Sequence, residues 1–73
     1  MGEDNTVKRL IEIAQRCGLS YSEVAVAAGV SPTTTRHAFT TGQMPVRDAA
    51  RERLQRFCDR NSSATRRAEL RFV

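Results

Sequence analysis

The feature that most constrains the fold of this chain is a pair of helix N-terminal capping patterns with a helix-ending glycine between them. The S-x-x-E pattern that begins at Ser20 is typical of a capping box, which marks the first turn of a helix. Gly29 ends that helix, because glycine adopts the left-handed backbone conformation at little cost. The dipeptide Ser31-Pro32 starts the next helix, with serine as N-cap and proline at the first helical position. The sequence therefore predicts two short helices, about residues 21–28 and 32–40, joined by three residues.

A longer helix is predicted before this pair. Apolar side chains recur at spacings of three and four over residues 6–17, so they share one helix face, and Gly18 ends the helix. Asp4, Asn5 or Thr6 can cap its start. The apolar face consists of Val7, Leu10, Ile11, Ala14 and Cys17. Ile13 falls off this face and is expected to be partly exposed or to meet a partner.

A fourth helix is predicted after the pair, over about residues 46–59. Its apolar face consists of Val46, Ala50, Leu54, Phe57 and Cys58. With 73 residues, the chain has room for one hydrophobic core. We therefore expect a compact all-α domain of four to five helices over residues 6–60, preceded by a flexible N-terminus at 1–5.

The C-terminal tail, residues 61–73, has an ambiguous pattern. Ala68, Leu70 and Phe72 alternate with charged residues, which favours a short strand, but a helical spacing is also present. A lone strand in a helical chain would need to pair with a second chain or stay disordered. The tail is therefore a candidate for dimerisation or for binding a partner.

Charge is distributed unevenly along the chain. Residues 31–73 hold nine arginines and four acidic residues, a net charge of +5, whereas residues 1–30 carry −1. A basic half on a small domain favours a polyanion partner, most simply nucleic acid. The alternative, an arginine-rich surface that is merely solvated, stays open on composition alone.

Several classes of protein are disfavoured. No apolar run approaches the roughly 20 residues that span a bilayer, and no secretion or lipidation signal is visible, so we expect a cytoplasmic protein of a bacterium or phage without membrane contact. Cys17 and Cys58 lie 41 residues apart and the chain has one histidine, so we expect buried thiols rather than a disulfide framework or zinc site. A redox-sensing thiol is the weaker alternative.

Catalytic patterns are absent as well. The sequence lacks a Gly-rich phosphate loop, a paired-carboxylate arrangement and a nucleophile beside a base, so we expect neither an enzyme nor a bound cofactor.

The segment at residues 18–34, GLSYSEVAVAAGVSPTT, resembles the core of the lambda-repressor-like DNA-binding domains of the Cro/C1 (Xre) class, and it is similar to the LacI headpiece. Ala25 stands where these families have a small residue, because the recognition helix crosses there, and Gly29 stands at the turn. The resemblance covers about residues 7–58 and implies a helix-turn-helix domain. Thr35 departs from the family, which usually has Val or Ile there. Its hydroxyl is expected to bond the carbonyl one turn back.

The resemblance implies that the third helix enters the major groove of DNA. On its helical wheel, Thr35, Ala38 and Phe39 lie inward. The residues expected to contact bases are Thr33, Thr34, Arg36 and His37. The residues expected to contact phosphates are Ser20, Tyr21, Ser22, Ser31, Thr40, Gln43 and Arg47. Arg36 as a phosphate contact and His37 as a solvated side chain remain as alternatives.

The sequence thus predicts a transcriptional regulator that binds double-stranded DNA as a homodimer on a palindromic operator. Leu70, Phe72 and Val73 are the candidate dimerisation residues, because they lie outside the apolar faces of the four predicted helices and are expected to lack an internal apolar contact. The alternative is an antitoxin-like or adaptor protein whose tail binds a regulatory partner protein, with DNA binding secondary.

Overall fold

The computed structural model of the protein describes residues 5–71. Within that range the chain forms four α-helices and one 3₁₀ turn and contains no strand, which confirms the expected all-α class. The elements are α1 Thr6–Cys17, α2 Tyr21–Ala28, α3 Pro32–Thr41, α4 Asp48–Arg60 and the 3₁₀ turn Arg67–Glu69. The first three helices agree with the predicted ranges to within one residue. Asn5 is the N-cap of α1, without a side-chain bond to its first turn, and the alternative cap Asp4 lies outside the described residues.

The core is built by apolar side chains of α1, α2 and α4, with Ala64 added from the C-terminal segment. Its largest fully buried side chains include Leu10, Leu54 and Phe57. α2 packs on both α3 and α4, and α1 packs on both α3 and α4. Cys17 and Cys58 are free thiols buried in this core, as expected, and burial raises the pKa of Cys58.

The predicted apolar face of α1 is wrong at one position. Ile13 is only 1% exposed and belongs to the core, whereas Ile11 is half-buried at its edge. Leu10, Ile13 and Cys17 recur at spacings of three and four, so Ile13 continues the same helix face. Because α1 packs on both α3 and α4, its buried arc is wide enough to include residue 13.

The predicted start of α4 is also wrong. The helix begins at Asp48, not near residue 46, and Arg47 is the extended N-cap. Val46 therefore lies outside the apolar face of α4 and is 92% exposed. A start at Asp48 places its carboxylate in the first turn, where the helix dipole favours negative charge.

The C-terminal segment folds back onto the helices instead of forming a strand within residues 5–71. Asn61 is 1% exposed and pairs with the backbone of Arg71: its Oδ1 accepts from the Arg71 amide at 2.6 Å, and its Nδ2 donates to the Arg71 carbonyl at 3.0 Å. Leu70 is half-buried against the core, so the expectation that it lacks an internal contact is wrong. Phe72 and Val73 lie outside the described residues.

Among the described residues, every helix is too short or too polar to traverse a lipid bilayer.

Candidate functional site

α2 and α3 are joined by a turn whose conformation is set by local hydrogen bonds. The capping box of α2 is complete: the Ser20 amide donates to Glu23 Oε1 at 2.9 Å, and the Glu23 amide donates to Ser20 Oγ at 3.3 Å. Gly29 has φ +75°, and the Val30 amide returns to the Ala25 carbonyl at 2.9 Å. This left-handed turn allows only three residues to separate the end of α2 from the start of α3.

α3 presents one buried and one exposed face, as its helical wheel predicts. Thr35 and Ala38 are at most 1% exposed, and Phe39 is half-buried against the core. The Thr35 hydroxyl donates to the Ser31 carbonyl at 3.0 Å, which confirms the expected bond one turn back. The opposite face is exposed to solvent and consists of Thr33, Arg36, His37 and Thr40.

Thr34 differs from the other residues that were predicted to contact bases. It is half-buried, and its Oγ1 accepts a hydrogen bond from Ser31 Oγ at 2.8 Å. The Thr34 amide also donates to Ser31 Oγ at 3.2 Å. Thr34 and Ser31 therefore form the N-terminal cap of α3, which leaves Thr33, Arg36 and His37 as the exposed members of the predicted set.

The loop after α3 lies beside this exposed face. Thr41, which the sequence did not single out, donates from its hydroxyl to the His37 carbonyl at 2.8 Å and accepts from the Gln43 amide at 3.2 Å. A depression of about 280 Å³ lies between α3 and residues 45–47, with Thr33 and His37 on one wall and Arg47 on the other. The structure thus brings together predicted residues from α3 and from the following loop.

The arginines differ in the partners of their guanidinium groups: some pair with carboxylates, and others donate to backbone carbonyls or have no partner in the described part of the chain. Five of them pair with carboxylates of this chain: Arg9, Arg51, Arg56, Arg66 and Arg67. Within residues 5–71, the guanidinium groups of Arg36 and Arg47 have neither an ion-pair partner nor a hydrogen-bond acceptor, and both side chains are exposed. The unpaired positive charge of the basic half therefore includes two arginines beside the outer face of α3.

The start of α2 holds the remaining predicted residues. Ser20, Tyr21 and Ser22 are exposed, but none of them lines the depression that contains Thr33 and His37. Glu23 follows them, and hydrogen bonds from Arg67 and from the Ser20 amide lower the pKa of its carboxyl to about 2. The carboxylate at the start of α2 is thus ionised and paired with a cation from the C-terminal segment.

Arg67 is a residue of this region that sequence reasoning left unassigned. Its Nη1 donates to Glu23 Oε2, and its Nη2 donates to Glu23 Oε1 at 3.1 Å and to the Gly18 carbonyl at 2.8 Å. The two side chains are 44 residues apart in sequence, and neither helix periodicity nor a cap pattern relates positions that distant. Only the fold reveals the contact.

Metal-binding chemistry has no visible basis in the described part of the chain, where no cluster of three His, Cys, Asp or Glu side chains occurs. Comparison with family models, with curated proteins and with solved structures returned no match for this chain. The functional interpretation therefore depends on the geometry of the site.

Proposed function

We propose that this protein is a transcriptional regulator that binds double-stranded DNA sequence-specifically, with α3 in the major groove and α2 across it. In this proposal, α2 and α3 form a helix-turn-helix unit of the lambda-repressor-like kind. The observation that carries the proposal is the outer face of α3, where Thr33, Arg36 and His37 are exposed together and Arg36 has no acceptor within residues 5–71.

The chemistry of this face suits base edges. A guanidinium that is free of intramolecular acceptors can donate two parallel hydrogen bonds to O6 and N7 of guanine. Thr33 offers a hydroxyl to a base and a methyl group to thymine, and His37 offers a donor to guanine or to a phosphate. Arg36 is the residue that we expect to contribute most to sequence discrimination.

Contacts to the DNA backbone would come from both sides of α3. Thr40 lies on the outer face of α3, Gln43 and Arg47 follow the helix, and all three are exposed. At the start of α2, the exposed set is Ser20, Tyr21 and Ser22, and Ser31 caps α3. Such contacts fix the orientation of a protein on the duplex without reading the sequence.

A homodimer is part of the proposal. A single domain of this size buries limited surface on DNA, so two half-sites would supply the specificity that a regulator needs. Two copies related by a two-fold axis would place their α3 helices about 34 Å apart on one side of a palindromic operator. This role places the protein in the cytoplasm of a prokaryotic cell, as a regulator rather than an enzyme.

The alternative, an adaptor whose tail binds another protein, has less support. Its sequence argument was the apolar end of the tail, and Leu70 is half-buried against the core of its own chain. Leu70 would have to leave the core to bind a partner protein, whereas DNA binding through α3 requires no rearrangement of the described residues.

Selection of bound sites from a random DNA pool tests the proposal and returns the operator, its symmetry and its half-site spacing. Arg36→Ala should then weaken binding to the selected site by about 1–3 kcal/mol and relax the preference at one base pair, without lowering the melting temperature.

Arg56→Ala is the matched control, because Arg56 is exposed on α4 and pairs with Glu52 at 3.3 Å. It should bind the selected DNA like the wild type. Failure to enrich any sequence, or an Arg36→Ala protein with unchanged affinity and preference, would contradict the proposal.

A further inference from the structure

A second depression, of about 200 Å³, lies where the α2–α3 turn meets the start of α4. Arg47 and Arg53 line it from the α4 side, and Ser31 lines it from the α3 side. Ala49 and Ala50 also border it, and their small side chains leave the space between the two arginines open. We call this the two-arginine pocket.

Arg53 is held in place by the backbone of the turn. Its Nη1 donates to the Gly29 carbonyl at 3.0 Å, which ties the guanidinium to the wall of the two-arginine pocket. This bond uses one of the five N–H donors of the group and leaves its positive charge uncompensated.

The nearby acidic side chains are occupied elsewhere. Asp48 pairs with Arg51 at 2.5 Å, and Glu52 pairs with Arg56 at 3.3 Å. Neither Arg47 nor Arg53 has a carboxylate partner within residues 5–71. The pocket therefore holds two positive charges that call for an anion, and a planar guanidinium matches a phosphoryl group particularly well.

The two-arginine pocket is continuous with the outer face of α3. Arg47 and Thr34 line both this pocket and the depression that contains Thr33 and His37. An anion in the pocket would therefore lie immediately beside a DNA strand read by α3, where a backbone phosphate is the anion that the duplex supplies.

We propose that Arg47 and Arg53 together bind one phosphoryl group in this pocket, and that the group is a backbone phosphate of the DNA bound by α3. The identity of the ligand rests on the proposed function. Arg53 is thereby assigned a binding role that the sequence pattern did not indicate.

Salt dependence separates this role from a purely structural one. The variants are Arg47→Met, Arg53→Met, the double variant and Arg53→Lys, with Arg56→Met as the control on the same helix. Arg53→Met should weaken binding to the selected DNA about tenfold, as expected for loss of a charged hydrogen bond. Arg53→Met should also reduce the slope of log affinity against log salt, and the double variant should reduce it by about one, because one phosphate contact is lost.

Arg53→Lys keeps the charge and should retain the wild-type slope. If Arg53 only braced the Gly29 carbonyl, its replacement by Met would lower the melting temperature and the affinity while leaving the salt slope unchanged. That outcome would overturn the proposal, as would an Arg53→Met protein that binds like the Arg56→Met control.

Neutral methylphosphonate linkages, placed one at a time in the selected DNA, locate the contact. A neutral linkage at one position should weaken DNA binding by the wild type but not by the double variant. Absence of such a position would overturn the assignment of the ligand to the DNA backbone.

Inorganic phosphate tests the pocket independently of DNA. Nuclear magnetic resonance titration of the wild type should shift the amide signals of Ser31 and Ala50, and the double variant should lose these shifts. Phosphate binding by a protein that selects no DNA would contradict the proposed function while supporting a site for a free phosphoryl ligand. If the double variant matched the wild type in both the DNA and the phosphate experiments, the pocket would not be an anion-binding site.

Discussion

Glu23 and Arg67 form the side-chain contact that ties the C-terminal segment to the start of α2. The pKa of Glu23 is about 2 in the folded protein, against an ordinary value of 4.5. A carboxyl whose pKa is lower in the folded state stabilises that state above its unfolded pKa and loses the effect as the pH falls. Hydrogen bonds from Thr65 also lower the pKa of Glu69, so this carboxyl likewise stabilises the folded state less as the pH falls.

We therefore predict that the melting temperature falls as the pH is lowered from 4.5 towards 2. Glu23→Gln keeps the capping-box hydrogen bonds, since glutamine serves at this position, but removes the charge. The variant should melt below the wild type at pH 7, and the difference should shrink below pH 4.5. Thermal unfolding of both proteins across this range checks it. A difference that is independent of pH would show that the ion pair does not stabilise the fold.

Thr35 shows what a buried hydroxyl contributes to this core. Its hydroxyl donates to the Ser31 carbonyl, but that carbonyl also accepts from the Thr35 amide at 3.1 Å and would stay bonded without the hydroxyl. We predict that Thr35→Val changes the free energy of unfolding by less than about 1 kcal/mol.

Thr35→Ser is the complementary variant, because it keeps the hydroxyl and removes the methyl group. Its free energy of unfolding should fall by about 1 kcal/mol, because an apolar contact is lost and a cavity remains. Denaturant unfolding measures both variants. If Thr35→Val lowered the free energy of unfolding more than Thr35→Ser, the hydroxyl and not the methyl group would be the part that stabilises α3.

At the scale of elements, α2 depends on small side chains to approach its neighbours. Ala25 is fully buried in a helix that packs on both α3 and α4. Ala25→Leu should destabilise the domain by about 1–3 kcal/mol or displace α3, because the packed core has no room for three further carbons. Val26→Leu is the control on the same helix, since Val26 is 73% exposed and should be nearly neutral.

Circular dichroism and the melting temperature measure these two variants. If Ala25→Leu matched Val26→Leu, the close packing of α2 would not be needed for the fold, and the helix-turn-helix interpretation would be wrong.

The start and end of α2 and the start of α3 were predictable, because each one depends on residues within one turn. Ser20, Gly29 and Ser31 determine caps and turns through bonds to their immediate neighbours, and the structure contains those bonds. The exposed face of α3 was predictable for a similar reason, since the helical period alone separates Arg36 from Thr35.

Errors arose where several elements meet. Ile13 is buried because α1 packs on two helices at once, and one apolar stripe does not reveal the width of that contact. Arg53 lies against the Gly29 carbonyl only because α4 passes the α2–α3 turn, 24 residues earlier in the chain. Sequence patterns describe one helix at a time, so contacts between helices were missed.

At the scale of the whole molecule, the C-terminal segment is part of the folded unit. It contributes Ala64 to the core, half-buries Leu70 against it, and supplies the backbone partners of buried Asn61. A chain that ends after Ser62 would lose all of these contacts and leave the Asn61 carboxamide oxygen without its partner. Leaving a buried polar group unsatisfied costs about 1–3 kcal/mol, in addition to the lost apolar burial.

We predict that truncation after Ser62 lowers the melting temperature by more than about 10 °C. For this reason, weaker DNA binding by that variant would not by itself identify a dimer contact.

Truncation after Arg71 is the sharper experiment, because it keeps every residue that contacts the core in the described range and removes only Phe72 and Val73. The shorter deletion should leave the melting temperature within a few degrees of the full chain. If these two residues hold the dimer, sedimentation should show weaker self-association, and affinity for the palindromic operator should fall while affinity for a half-site is retained. Unchanged self-association and operator binding would show that the tail is not the dimer contact, and would assign to the C-terminal segment a purely intramolecular role.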